Sequence, residues 1–120
     1  MSLREIGFEG EKIAVSYLKK KGYKILKTNF LLRCGEIDIV AQKDQTLCFV
    51  EVKTRHNTKF GYPEESVHYG KQKRMSLAAT VYLARYKPKF EDCRFDVLSL
   101  LIDNSIQIKH YEAAFDSPLS

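Results

Sequence analysis

Asp38, Glu51 and Lys53 are the residues of this chain best suited to chemistry. Asp38 closes Gly35-Glu36-Ile37-Asp38, and Glu51-Val52-Lys53 lies in the next apolar run. Magnesium takes hard oxygen ligands at roughly 2.0–2.1 Å and keeps several waters, so one or two carboxylates suffice to hold it beside a phosphate. A lysine on the same face can hold the attacking water or balance charge on the phosphorane. Side chains alternate along a strand, so Glu51 and Lys53 project together, while Val52 points away and offers its backbone carbonyl. The expected chemistry is metal-assisted phosphodiester hydrolysis.

The surrounding pattern supplies the elements that must hold these groups. Ile6, Gly10, Ile13, Ala14, Tyr17 and Leu18 repeat at helical spacing, predicting a helix from about Leu3 to Lys21 that is stopped by Gly22 and leaves Glu11 at the edge of its buried stripe. Strands are expected over Tyr23–Leu32, interrupted near Thr28-Asn29, then over Gly35–Ala41 and Thr46–Thr54, with a polar turn at Lys43-Asp44-Gln45. These read as a meander of antiparallel strands. In the third, Leu47 and Phe49 share the face of Glu51 and Lys53, whereas Cys48, Val50 and Val52 fill the other; apolar residues on both faces mark a central strand. Arg55 to Glu65 reads as a loop, Gly70–Tyr86 as a second helix ended before Pro88, and Arg94–Ile102 and Ser105–Tyr111 as two further strands. The domain is expected to span 1–111, with 112–120 as a C-terminal tail. This order implies a single α/β domain: a central mixed sheet of about five strands flanked by helices.

The 120 residues suit one hydrophobic core, and a net charge of +5 favours an acidic partner. The charge is unevenly spread. Six basic residues and no acid lie between Lys19 and Arg33, and five more, unopposed, between Tyr69 and Lys87. No apolar stretch reaches the roughly 20 residues of a membrane span, and the N-terminus lacks a signal-peptide core, so the protein is expected to be cytoplasmic and free of membranes. Cys34, Cys48 and Cys93 form no Cys-x-x-Cys pair, which argues against a structural zinc site or disulfide framework; Cys48 reads as a small apolar group. His56, His68 and His110 have no ligand spacing and read as surface or loop residues.

Gly7-Phe8-Glu9-Gly10-Glu11 with Ala14, Gly22-Tyr23, Asn29, Gly35-Glu36-Ile37-Asp38, Phe49-Val50-Glu51-Val52-Lys53-Thr54-Arg55, Lys71 and Arg94-Phe95-Asp96-Val97 together resemble the YraN family. These are small bacterial proteins of the restriction-endonuclease-like superfamily, similar to archaeal Holliday-junction resolvases. The resemblance covers about Leu3 to Ile102. It implies a restriction-endonuclease-like fold, Asp38 and Glu51 as ligands of Mg2+ or Mn2+, and Lys53 as the catalytic lysine of the PD-(D/E)xK pattern, with Ile37 where that pattern has proline. It also implies that Glu11 completes the catalytic and metal-binding acids, that DNA is the substrate with branched or repair-related forms favoured, and that the protein is a two-fold dimer.

Each residue also has a plainer reading. Glu51 with Lys53 alone would be an ordinary ion pair worth about 0–1 kcal/mol. Glu11 could be a solvated helix residue, Glu36 a salt-bridge partner of Arg33 or Arg55, and Asp96 a structural acid beside a strand-end arginine. Lys71, near the start of the second helix, either faces solvent or meets a phosphate at the helix N-terminus. Arg33, Arg55, Lys59, Lys71, Lys73 and Arg74 are the expected nucleic-acid contacts, and Phe60 and Tyr62 either stack on unpaired bases or anchor their loop. The competing functional reading is a nucleic-acid-binding module with little or no hydrolytic activity.

Overall fold

The computed structural model describes residues 3–56 and 67–117, with side chains from Glu9 onward. Lys59, Phe60 and Tyr62 lie outside the described residues. The element order is α1 (Leu3–Lys20), β1 (Lys24–Leu31), β2 (Glu36–Lys43), β3 (Thr46–Arg55), α2 (Tyr69–Tyr86), β4 (Asp92–Ile102) and β5 (Ile106–Phe115). All five strands form one mixed sheet in the order β1-β2-β3-β4-β5, which bears out the expected α/β architecture. The first three strands run antiparallel as a meander, β4 joins β3 in parallel after the α2 crossover, and β5 returns antiparallel. No described helix is long and apolar enough to cross a membrane.

Each helix covers one face. On the α1 side, Ala14 and Leu18 pack with Ile39, Ala41, Cys48, Val50, Leu98 and Leu100; on the α2 side, Met75, Ala78 and Tyr82 pack with Phe30, Ile37, Val40, Leu47, Phe49 and Phe95. Both faces of β3 are therefore apolar and buried, as the run Leu47–Val50 requires. Cys48 is a buried free thiol that burial pushes up to about 12, so it serves as packing volume. The end of α1 is closed by two backbone bonds, Tyr23 N–H to the Leu18 carbonyl at 2.9 Å and Gly22 N–H to that of Lys19 at 3.0 Å.

One close approach fixes α2. A Cβ at Gly35 would overlap the backbone carbonyl oxygen of Arg74, so only glycine lets the helix sit down on the start of β2. Because the obstructing atom is backbone, Gly35→Ala must displace the helix and is expected to cost about 1–3 kcal/mol in chemical denaturation. A change within 0.5 kcal/mol would mean that the contact is slack.

The sheet's far side holds a buried polar network that sequence alone only hinted at. Asp96 is fully buried, accepting from Arg94 Nε at 3.0 Å and from the Ala113 N–H at 3.0 Å, with His110 Nε2 at 2.8 Å. This bears out the structural reading of Asp96 and corrects that of His110, whose side chain is only 9% exposed. The correction extends to the C-terminal boundary: Glu112 to Phe115 belong to β5, not to a tail. The register shifts opposite Asp96, between Phe95 and Val97, and Ala113 adopts a positive φ of 50°. That bulge breaks the alternation past Tyr111 while aiming an amide at the buried carboxylate.

Candidate metal and phosphodiester site

Asp38 owes its position to a fork in the sheet. The β2–β3 ladder runs from Lys43/Thr46 only as far as Ile39/Val50, although β1 stays paired with β2 to Glu36 and β4 with β3 to Arg55. Past Ile39 the two central strands separate. Ile37 and Val40, three apart, both enter the α2-side core, so strict alternation also breaks at Asp38. The fork leaves the Val52 N–H without a strand partner on this side, and Asp38 Oδ2 accepts it at 2.8 Å. The bond fixes the carboxylate against the strand that carries Glu51 and Lys53.

The Glu51 and Asp38 carboxyl groups are close enough to act on each other's ionisation. Burial, then the charge of Asp38, pushes Glu51 up to about 7; burial likewise raises Asp38 against the pull of the Val52 amide and Lys71. Glu51 Oε2 is buried with no hydrogen-bond partner. Lys71 reaches in from the first turn of α2, with Nζ 2.7 Å from Glu36 Oε1 and 3.7 Å from Glu51 Oε2. Glu36 thus pairs with Lys71 rather than with Arg33 or Arg55, and the Lys71 hydrogen bond holds its carboxyl below the usual range. Lys53 also acts on Glu51 through its charge.

Glu11 approaches from the other side. A Cβ at Gly10 would overlap the Thr54 hydroxyl, so the glycine lets α1 settle onto β3 just beyond Lys53 and carries Glu11 with it. Yet α1 covers the face opposite that of Leu47, Phe49 and Glu51. Glu11 Oε1 accepts from Asn29 Nδ2 at 2.8 Å, and burial raises its pKa, with Asp38 adding to the rise. Asn29 sits at a positive φ of 51°, yet β1 runs unbroken from Lys24 to Leu31 and its register shift falls between Ile25 and Lys27, not at the interruption expected near Thr28-Asn29. Among the described residues, no three His, Cys, Asp or Glu side chains are grouped to hold a metal ion. Asp38 and Glu51 come together; Glu11 is held aside by Asn29, a partner that only the α1–β1 packing reveals.

The pair fits a hard divalent cation on two observations. One buried carboxylate oxygen, Glu51 Oε2, has no hydrogen-bond partner, and burial together with neighbouring carboxylate charge raises both acids, a penalty that a cation would relieve. Two carboxylates match the sparse protein ligation of magnesium, whose other positions go to water and substrate oxygens. Of the expected nucleic-acid contacts, Arg33, Arg55, Lys73 and Arg74 are exposed and Lys71 is half-buried in the cluster.

Fold and site together define a single-domain α/β protein with a half-buried acid pair and attendant lysines in the fork of a mixed sheet. The chain belongs to the Uncharacterised protein family UPF0102, the YraN family whose motifs it resembles, and matches it over residues 10–100. It is 48% identical over 113 residues to a UPF0102 protein of Syntrophomonas wolfei, covering 93% of this chain and 98% of that protein. A UPF0102 protein of Dictyoglomus thermophilum is 43% identical over 112 residues (93% and 95% covered), and one of Thermodesulfovibrio yellowstonii 44% over 115 (96% and 99%).

Proposed function

We propose that this chain is a divalent-metal-dependent endonuclease acting on DNA, with branched or repair-related DNA favoured by the similarity to resolvases. The observation that carries this reading is the half-buried Asp38–Glu51 pair, one oxygen of which is buried without a hydrogen-bond partner, set beside two lysines. Burying like-charged acids is costly unless a cation or proton compensates, so a fold that keeps the pair is built for a cation to enter. Asp38 and Glu51 hold Mg2+ or Mn2+, which when bound supplies Lewis-acid polarisation of the phosphodiester.

The remaining roles fall to the chain itself. The Val52 amide orients Asp38. Lys53, on the Glu51 face, positions water or balances charge on the phosphorane. Exposed Arg33, Arg55, Lys73 and Arg74 neutralise flanking phosphates. Glu11, braced by Asn29, acts on Asp38 through its charge rather than as a third ligand.

The test is cleavage of linear, single-stranded, flapped and four-way DNA with Mg2+ or Mn2+. Asp38→Asn and Lys53→Ala are each expected to lower the rate at least about 100-fold, the scale of losing an electrostatic group made for the transition state. Wild-type cutting untouched by either substitution would place the chemistry elsewhere. The second reading, a nucleic-acid-binding module, draws on the neutralising contact of Lys71 and the absence of a three-acid group among the described residues. Steeply salt-dependent binding without cutting on any substrate would favour it.

A further inference from the structure

Lys71 stands in an unusual relation to the acid pair. It is the third residue of α2, whose first turn holds no acidic residue, and its ammonium contacts Glu36 at 2.7 Å and Glu51 at 3.7 Å. The second distance exceeds that of a hydrogen bond, so the lysine attends Glu51 Oε2 by charge and leaves the lone pairs of that oxygen open. The cations around the cluster divide their work. Lys53 acts on Glu51 and Arg74 on Glu36, whereas Lys71 acts on Glu36, Asp38 and Glu51 alike. Its firm contact, Glu36, has a 40% exposed side chain, so that anchor is a partly solvated pair and weak. A lysine is a compact charge on a flexible four-carbon stem, and this one is tethered where free helix amides favour an anion.

We infer that Lys71 is an exchangeable counter-cation: its ammonium guards Asp38 and Glu51 until a divalent cation binds, then swings onto a phosphate of the bound nucleic acid. The inference rests on the metal-site reading above. It gives Lys71 one charge used twice. In the free protein the ammonium offsets a carboxylate cluster that would otherwise repel itself apart. A divalent cation drawing on the same oxygens repels the ammonium, and the departing charge meets substrate at the helix start. The free protein thereby resists adventitious cations, and substrate and metal favour each other because each needs the lysine moved.

Mn2+ titration calorimetry of the full chain without DNA tests the first half, with Asp38→Asn as the site control. Lys71→Met is expected to tighten Mn2+ binding about tenfold by removing a like charge near the ligands. If Asp38→Asn abolishes wild-type binding but Lys71→Met leaves affinity unchanged or weaker, the exchange is wrong and the metal site stands. If no Asp38-dependent binding is seen in either protein, the metal-site reading fails and takes the exchange with it. Should Lys71→Met not fold, the 15N resonance of the wild-type Lys71 ammonium decides: it should shift on adding Mg2+, and a stationary signal overturns the proposal. The second half is read in Ca2+ with a four-way junction, where Lys71→Met should lower the slope of log affinity against log salt by about one. An unchanged slope would show that the lysine does not reach phosphate.

Discussion

Glu51→Gln is expected to stabilise the metal-free protein at pH 8 by about 2–3 kcal/mol, while removing metal binding and cleavage. The sign follows from the raised carboxyl. In the unfolded chain Glu51 ionises near 4.5; in the fold, burial and the neighbouring Asp38 push it up to about 7. Below pH 4.5 both states are protonated and the residue is neutral in its effect. Between 4.5 and 7 the unfolded state releases its proton first, so stability falls as pH rises, and above 7 the full penalty is present. Glutamine carries no charge to bury and still has an N–H for Asp38. Urea denaturation in EDTA should therefore show the variant ahead at pH 8 and the gap closing toward pH 5. Saturating Mn2+ should reverse the order, because only the wild type gains binding free energy in the folded state. A variant less stable than wild type at pH 8 in EDTA would show that Glu51 is held by compensating contacts and does not need a cation to offset its charge.

The same residue shows what a single sequence can carry. Alternation along Leu47-Cys48-Phe49-Val50 assigned the two faces of β3 correctly, because period-two burial is a local property. Asp38 was legible as an acid but not as an acid in a fork, since the separation of β2 from β3 depends on pairings made with β1 and β4. Lys71 lies 35 residues from Glu36, and Asn29 lies 18 from Glu11, so neither bond leaves a trace in spacing. Glu11 was placed at the edge of its helix stripe, but which face of the sheet that stripe covers is a tertiary fact. The lack of ligand spacing around His110 predicts a surface residue, whereas its ring is set between Tyr17, Tyr23 and buried Asp96, contacts that only tertiary packing creates. The end of β5 escaped notice for a related reason: the bulge at Ala113 removes the alternation by which strands are found.

Asp96→Ala is expected to cost about 3–5 kcal/mol, the penalty for removing one partner of a buried ion pair. Burial alone would raise the carboxyl, and donors from His110, Arg94 and the Ala113 amide overcome it, holding the group below its ordinary value. Two strands and the α1–β1 connection meet there. Arg94 Nη2 donates to the Tyr23 hydroxyl at 2.7 Å, just past the end of α1, so the network ties α1 and β1 to the β4–β5 edge. Alanine strands the Arg94 guanidinium, the His110 ring and an amide at a left-handed residue, and water reaches a fully buried site poorly. Asparagine preserves the volume but turns an N–H toward donors, so it should fall between alanine and wild type. The depressed carboxyl contributes stability above pH 3.8 that is lost as pH falls through its folded value. Denaturation of Asp96→Asn should accordingly show a flatter fall than wild type below pH 4, although it starts from lower stability. Asp96 pairs in register with Val50, the neighbour of Glu51, but it lies on the α1 side of the sheet with Val50, whereas Glu51 shares the α2-side face of Leu47 and Phe49. Metal affinity of the folded Asp96→Asn fraction should then match wild type, and a parallel loss of both stability and metal binding would reveal that β4 transmits strain to the fork.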